Sequence, residues 1–369
     1  TVQSKRPFVE TKLDKTVVNV EASPTSAGSS ALEILEKSPG IMVNSDGVIS
    51  LRGKQGVIVM LDGKPTYLSA TDLANMLKNM PASALDQIEI MTNPSSKYDA
   101  SGNSGIINIK TKKGKTAGFN GSVTVGASTT IYSIDGRTYH YSPRSQNSFN
   151  FNFRKNKWNF FGNYNPNMFN GRNTQNIYRK NFDPNTNEYL GYTDQTIRFK
   201  FGNMNHMLKL GADFYADKKN TVGVVVSGFA FEGRPRPRTT SEVKAPDGTL
   251  LSGMNSYTNN EFSFRNLTSN LNWRHQFDSS GMELTTDVDF VKYTNHGEML
   301  LETNPFDANR TPGSQLFLRG DLPSNIDIVS VKSDFVKPYK NGRFEAGIKS
   351  SYVKTDNQVD YEYWGNSKW

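Results

Sequence analysis

No cysteine occurs among the 369 residues, which excludes a disulfide framework, a thiolate metal site and a cysteine nucleophile. Also missing is any apolar run near the roughly 18–20 residues that a membrane-crossing helix needs; mean hydropathy is −0.61. The four histidines, His140, His206, His275 and His296, show no HxxxH or HxH spacing that would suit zinc, and no metal or cofactor is expected. No serine stands in a GxSxG elbow. The stretch SGNSG (101–105) lacks the Lys-Ser/Thr and the following helix of a phosphate cradle, so it reads as a turn. Asp287 and Asp289 share a strand face, but a water-filled lumen wants them there as much as acid/base chemistry does, and no catalytic residue is assigned. The net charge of +8 is spread along the chain, which reads as surface charge and not as a nucleic-acid footprint. No signal peptide precedes Thr1, so an exported precursor would begin upstream.

What the chain does have is 22 Phe, 16 Tyr, 4 Trp and 30 Gly, a mixture that leaves a membrane β-barrel open, because a lipid-facing strand needs only every second residue apolar. The pattern divides near residue 115, at TKKGK (111–115), most simply a solvated linker. Before it, Ser29 and Ser30 can cap a short helix over 31–37, stopped by Pro39-Gly40. Two hairpins are expected around Asn44–Gly47 and around Asp62-Gly63, where glycine supplies positive φ. A second helix, TDLANMLKNM (71–80), has Thr71 as its expected cap, and strands follow at 88–93 and 105–112. This predicts a small α/β unit of about 100 residues with a modest core.

After residue 117 the period becomes two. Phe149, Phe151 and Phe153 alternate with Asn150, Asn152 and Arg154; Leu208, Leu210, Ala212 and Phe214 alternate with Lys209, Gly211 and Asp213. Strands of about 10–14 residues are expected, longer than those of soluble sheets. Short connections (155–156, 217–220, 278–281, 338–342) take turns with long polar ones (130–146, 167–195, 233–261, 296–323). In an up-and-down meander this puts all short turns at one end and all long loops at the other, as in an outer-membrane barrel.

The first 113 residues resemble the plug domain of TonB-dependent outer-membrane receptors, through ALEILEKSPGIMV (31–43), ISLRG (49–53), VIVMLDGKPTYL (57–68) and LDQIEIMTNPSSKYDASGNSGIINIKTKK (85–113), in that order. The remainder, with GADFYADKKNTVGVVVSG (211–228) most telling, is similar to the start of the barrel in the subfamily whose plug often follows a carboxypeptidase-regulatory-like domain. The fold expected is a partial, antiparallel up-and-down membrane β-barrel (22 strands in the full family) with a small α/β N-terminal plug. Residues 1–22 form a lead-in, 23–114 the plug and 115–369 the first part of the barrel. About nine crossings are expected, an unclosed sheet.

The resemblance implies an outer-membrane importer without enzyme activity. Ligand binds at the cell surface, and a TonB-type energy-transducing protein moves the plug; the alternative is a plugged barrel that binds or scaffolds without import. Siderophore, cobalamin, glycan and peptide receptors share such a plug, so the ligand is unassigned, and a surface lipoprotein is a further expected partner beside outer-membrane lipid. Arg52 would be the plug arginine that pairs with a barrel glutamate, which would lie beyond Trp369. Asn44, Ser45, Asp46, Lys54, Gln55 and Tyr67 would be hairpin-tip ligand contacts. Thr92-Asn93-Pro94 stands where many members have Arg-Gly-Pro, and no TonB box is recognisable.

Overall fold

The computed structural model describes residues 7–12, 15–22, 29–44, 47–66, 70–80, 82–92, 104–112, 117–133, 139–340 and 342–365. The N-terminal unit contains β1 (Val9–Thr11), β2 (Thr16–Asn19), α1 (Ala31–Glu36), β3 (Ile41–Val43), β4 (Ile49–Leu51), β5 (Ile58–Leu61), β6 (Lys64–Pro65), α2 (Ala70–Asn79), β7 (Leu85–Met91) and β8 (Ile106–Thr111). Six of these strands form one sheet in the order β1-β2-β7-β8-β5-β6, antiparallel except where β5 meets β8. β3 and β4 pair as a separate hairpin.

Alternation gives this sheet two different faces. Ile88, Ile90, Ile107 and Ile109 pack with Ile34 and Leu35 of α1, Leu77 of α2 and Met80 just after it in a dry core. On the other face, Met60, Met91 and Ile106 sit beside the polar Glu89 and Asn108. Ser30 caps α1, its Oγ accepting from the Glu33 N–H at 3.3 Å. α2 begins at Ala70, so Thr71 lies inside the helix and is not its cap. The expected lead-in also differs, for β1 and β2 belong to the sheet: Val17 and Val18 are buried, and Thr16–Asn19 pairs along β7.

The rest is a single antiparallel sheet of β9 (Gly118–Ser133), β10 (Tyr139–Lys155), β11 (Trp158–Phe182), β12 (Tyr189–Tyr215), β13 (Asn220–Gly233), β14 (Arg238–Lys244), β15 (Leu250–Gln276), β16 (Glu283–Asp307), β17 (Leu316–Tyr339), β18 (Gly342–Asn357) and β19 (Asp360–Gly365). β14 and β19 continue the lines of β13 and β18, leaving nine crossings in meander order, with no ladder between β9 and β18 among the described residues.

Strand lengths overturn one expectation. β11, β12, β15, β16 and β17 run for 24 to 27 residues, and much of the sequence expected as long polar loops is ladder. Tyr178 stands opposite Asp194 and Glu302 opposite Tyr257, far into segments that look like loops by composition. A hairpin that projects beyond a bilayer is wet on both faces, so it loses the apolar alternation while keeping its hydrogen bonds. The short turns are as expected: Asp217 accepts from the N–H groups of Lys219 (2.7 Å) and Asn220 (2.8 Å), and Asp278 from that of Ser280 (2.9 Å).

Sidedness is consistent across the sheet. Phe149, Phe151, Leu208, Leu210, Val224, Leu271 and Phe290 point outward and are exposed, whereas Asn152, Asn163, Asn205, Lys209 and Asn270 point inward and are buried. Along β12 the outward apolar band runs from Phe214 to Met204, interrupted only by His206, whose ring nitrogen meets the Tyr164 hydroxyl at 2.8 Å. With a rise of about 3.3 Å per residue and a tilt near 40°, this spans about 25 Å, the hydrocarbon thickness a barrel covers. Among the described residues no helix is long and apolar enough to cross a membrane; crossing falls to the strands. Leu210→Arg, in the middle of the band, is expected to destabilise the folded protein by about 2–4 kcal/mol. Asn259→Arg, outward but beyond the band, is expected to stay within about 0.5 kcal/mol, both read by urea unfolding in lipid bilayers.

Candidate functional site

The functional geometry lies where the N-terminal unit meets the inner face of the wall. Met207 of β12, Phe229 of β13, Phe264 of β15, Val291 and Tyr293 of β16 and Ile328 of β17 join the apolar core of the N-terminal unit. One compact body touching strands so far apart in sheet order requires the wall to curve around it. Phe229, Phe264 and Tyr293 form a run of tilted ring contacts at 5.9 and 6.1 Å, and the Tyr293 hydroxyl donates to the Thr66 carbonyl.

A polar junction stands beside this apolar collar. The β5–β6 turn places Asp62 and Gly63 at φ 52° and 83°, the backbone that Asp-Gly favours in a tight hairpin. This aims the Asp62 carboxylate at β8, where it accepts from the Thr111 N–H at 2.9 Å and the Thr111 hydroxyl at 2.9 Å. The wall supplies the cation: the Lys209 ammonium, on a residue 5% exposed, donates to Asp62 Oδ2 and, at 2.7 Å, to Thr111 Oγ1. Burial pushes the Asp62 carboxyl up, but the Lys209 charge and the hydrogen bonds from Lys209 and Thr111 outweigh it and hold the group below the usual carboxylate range.

The junction continues through the sheet. Gly63 N–H donates to Asn108 Oδ1 (2.8 Å), and Asn108 Nδ2 donates to Glu89 Oε2 (2.8 Å). Glu89, only 2% exposed, takes Lys15 at 2.7 Å and Lys110 at 3.0 Å on Oε1. Burial raises the Glu89 carboxyl, and the Lys15 and Lys110 contacts, with Asn108, bring it below its ordinary value. A continuous polar chain therefore runs from Lys15, just ahead of β2, to Lys209 on the wall. It borders a cavity of ≈ 550 Å³ between unit and wall, whose wall side carries Asn270, Asp287, Asp289, Lys332 and Asp334. A second cavity of ≈ 230 Å³ lies on the other side of Lys209, against Asn120, Asn150, Asn152 and Asn163.

Of the site residues expected from sequence, the structure describes Asn44, Arg52, Lys54 and Gln55. Arg52 is exposed, sits at φ 51° and donates its N–H to the Gly40 carbonyl at 2.7 Å; among the described residues no carboxylate lies within salt-bridge distance of it. Asn44 closes its own turn, Oδ1 accepting from the Val48 N–H at 2.8 Å. Lys54 and Gln55 are exposed, and the Gln55 carbonyl accepts from Ser104 Oγ at 2.5 Å. Ser45, Asp46 and Tyr67 lie outside the described residues. None of the four described ones, Asn44, Arg52, Lys54 and Gln55, lines either cavity described above. Sequence reading assigned Asp62 only to a turn and Lys209 only to a strand face; the available signal was a lone lysine between Leu208 and Leu210, and Glu89 and Asn108 within otherwise apolar strands.

Removing one partner of a buried pair leaves the other charge uncompensated. Lys209→Met is expected to weaken docking of the N-terminal unit by about 3 kcal/mol, and Asp62→Asn/Lys209→Met by much less, measured as hydrogen exchange of β5 and β8 in the intact protein. Asn tolerates the positive φ at position 62, so the double variant tests charge and not turn geometry. Because the Asp62 carboxyl titrates lower in the folded state, its contribution is present at neutral pH and is lost as pH falls through and below about 3.9; Asp62→Asn should remove that acid-dependent part.

Two family models match the chain. The model described as TonB-dependent Receptor Plug Domain covers residues 9–106, and that of the Outer membrane protein beta-barrel family covers residues 275–369. Among solved structures, the ferric enterobactin receptor of Pseudomonas aeruginosa is 13% identical with a TM-score of 0.42, over 90% of this chain and 62% of its own. The ferric yersiniabactin uptake receptor of Yersinia pestis is 14% identical with a TM-score of 0.36, over 96% and 62%. The ferric citrate transporter in its unliganded form is 10% identical with a TM-score of 0.42, over 94% and 60%. This chain thus spans under two thirds of the length of these receptors. With a plug-type sheet docked on the inner face of a wall whose outer face is a lipid-matched apolar band, the chain belongs to the TonB-dependent receptors, non-enzymatic proteins of the outer membrane.

Proposed function

We propose that the protein is a ligand importer in which a TonB-type energy-transducing protein displaces the plug after a ligand has bound at the cell surface. The observation that carries this reading is the polar chain from Lys15 to Lys209. Most of the dry core comes from the plug itself, with six wall side chains joining it, so the plug can move as a body, and its charged link to the wall begins beside the N-terminal strand pair, where a pull from the N-terminal side would act first. A pull that withdraws β2 loosens Lys15 from Glu89, and Glu89 holds the Asn108 amide that orients the Asp62 turn. The ≈ 550 Å³ cavity supplies volume into which the turn can move once Lys209 lets go.

In this reading residues 23–114, together with the strands of the lead-in, are the moving part, and 115–369 the wall. Asn44, Ser45, Asp46, Lys54, Gln55 and Tyr67 are the ligand contacts on the plug, and Arg52 awaits a carboxylate from wall strands outside the described residues. The ligand is a ferric siderophore, cobalamin, a glycan or a peptide, the classes whose receptors share this plug, and a surface lipoprotein is a further candidate partner.

Cells expressing the full-length receptor can be offered ferric siderophores, cobalamin, oligosaccharides and peptides in turn. Uptake of one class should disappear when the energising partner is deleted or the proton gradient collapsed, while surface binding persists. Uptake indifferent to both treatments, or binding with no uptake, would replace the proposal with a plugged binding or scaffold subunit.

A further inference from the structure

The outer face of the wall changes character just beyond the apolar band. On β12 the outward positions after Met204 are Gly202, Lys200 and Arg198, and beside them stand the exposed cations Arg172 of β11, Arg238 of β14 and Arg236 in the link between β13 and β14. The register brings like charges together. Arg172 stands opposite Lys200, Arg198 stands opposite Arg238, and the Arg236 N–H donates to the Lys200 carbonyl at 2.8 Å, so Arg236 flanks Lys200 on its other side. Like charges facing each other across a ladder are destabilising, and here two such pairs occupy adjacent rows.

Local carboxylates do not relieve them. Glu232 is taken by Arg265 at 3.7 Å, Glu261 by Arg234 at 3.4 Å, Asp194 by Lys244 at 3.5 Å, and Glu242 by Lys244 at 3.0 Å and Arg310 at 2.6 Å. Among the described residues none of the five cations has a carboxylate within salt-bridge distance. Arg172 meets a ring nitrogen of His140 at 3.1 Å, and Arg238 lies 5.5 Å from the Tyr257 ring centre, neither neighbour a carboxylate.

Depth identifies what fits. Lys200 is four residues beyond Met204, about 10 Å along the membrane normal, and long cationic side chains reach back toward the interface. That is the headgroup layer on the side of the long hairpins, which in this family faces the cell exterior. We infer that Arg172, Lys200, Arg236, Arg198 and Arg238 form a docking surface on the outer wall for a phosphate-bearing lipid headgroup of the outer leaflet. Arginine forks hold phosphate oxygens in pairs, Lys200 adds a point charge, and the bound anion cancels the repulsion between rows. The surface is on the opposite side of the wall from the plug, so it is separate from ligand import.

The test uses the full-length receptor in nanodiscs with and without bisphosphorylated lipid A. Lipid A should raise the thermal midpoint of the parent protein and of a Lys218→Gln/Lys219→Gln control in a short turn. In Arg172→Gln/Lys200→Gln/Arg236→Gln the shift should vanish and apparent affinity fall roughly 100-fold, given the attraction of each cation near an anionic surface. A heat-dependent shift on a denaturing gel verifies that the triple variant is folded; a variant that does not fold is replaced by the single Lys200→Gln, expected to lose about fivefold. Equal binding by folded variant and parent would overturn the inference. So would an equal midpoint rise with dephosphorylated lipid A or with inorganic phosphate alone, or co-purification of an acidic protein through these cations with no effect of lipid A.

Discussion

The largely buried contact between Asp62, itself half-buried, and the buried Lys209 is the constraint around which the rest of the structure is arranged. Taking two charges out of water is costly, and their attraction offsets that cost only when geometry is good and remaining lone pairs are satisfied. Here the turn fixes the carboxylate, Thr111 supplies two donors, and Asn108 steadies the turn backbone. Such a pair adds little net stability compared with a well-packed apolar substitute, but it discriminates strongly between positions. An apolar collar alone would let the plug settle in several orientations of similar energy, since ring and methyl contacts are non-directional. A charge that can be satisfied at one place on the wall removes that degeneracy.

The same arrangement explains why the plug sheet has unequal faces. Its helix-covered face must be dry, because the unit needs a core that survives independent of the wall. The other face looks into a cavity and can therefore carry Glu89, Asn108 and Lys110 without leaving charges unpaired. Glu89 is the more deeply buried carboxylate, and it is satisfied wholly from within the plug, by Lys15, Lys110, Asn108 and Gln87. Asp62, by contrast, depends on the wall for its cation. Separation from the wall alone leaves Glu89 with its partners and takes from Asp62 its cation.

Reading the sequence recovered whatever is written in local periodicity. The lipid face of β10 follows from Phe149, Phe151 and Phe153, and the positive-φ turn follows from Asp62-Gly63. It failed where a second medium or a distant partner decides. The hairpins above the bilayer look like loops because both faces are wet, so β11 extends to Phe182 through residues such as Asn173, Thr174 and Gln175 that carry no alternation. Lys209 lies 147 positions from Asp62, and nothing local distinguishes a lumenal lysine that meets water from one that meets a carboxylate. Arg52 shows the converse: a motif arginine whose described surroundings hold no carboxylate at salt-bridge distance, while the ion pair between plug and wall uses a lysine and a turn aspartate.

β12 brings these points together, because one uninterrupted ladder passes through three surroundings. Outward from Phe214 to Met204 it meets hydrocarbon, inward at Lys209 and Asn205 it meets the plug, and outward again at Lys200 and Arg198 it presents cations. Backbone pairing continues through all three, with β11 along the whole length and with β13 and β14 on either side of the link over 234–237. The strand is therefore free to change side-chain chemistry every few residues without losing its fold. Its length is set by cross-strand pairing, and its function by the medium each stretch of side chains faces. A strand that had to bury both faces in one core, as in a parallel sheet, could not carry a lysine between two leucines; a wall with lipid on one side and a docked domain on the other can, and the plug junction depends on that freedom.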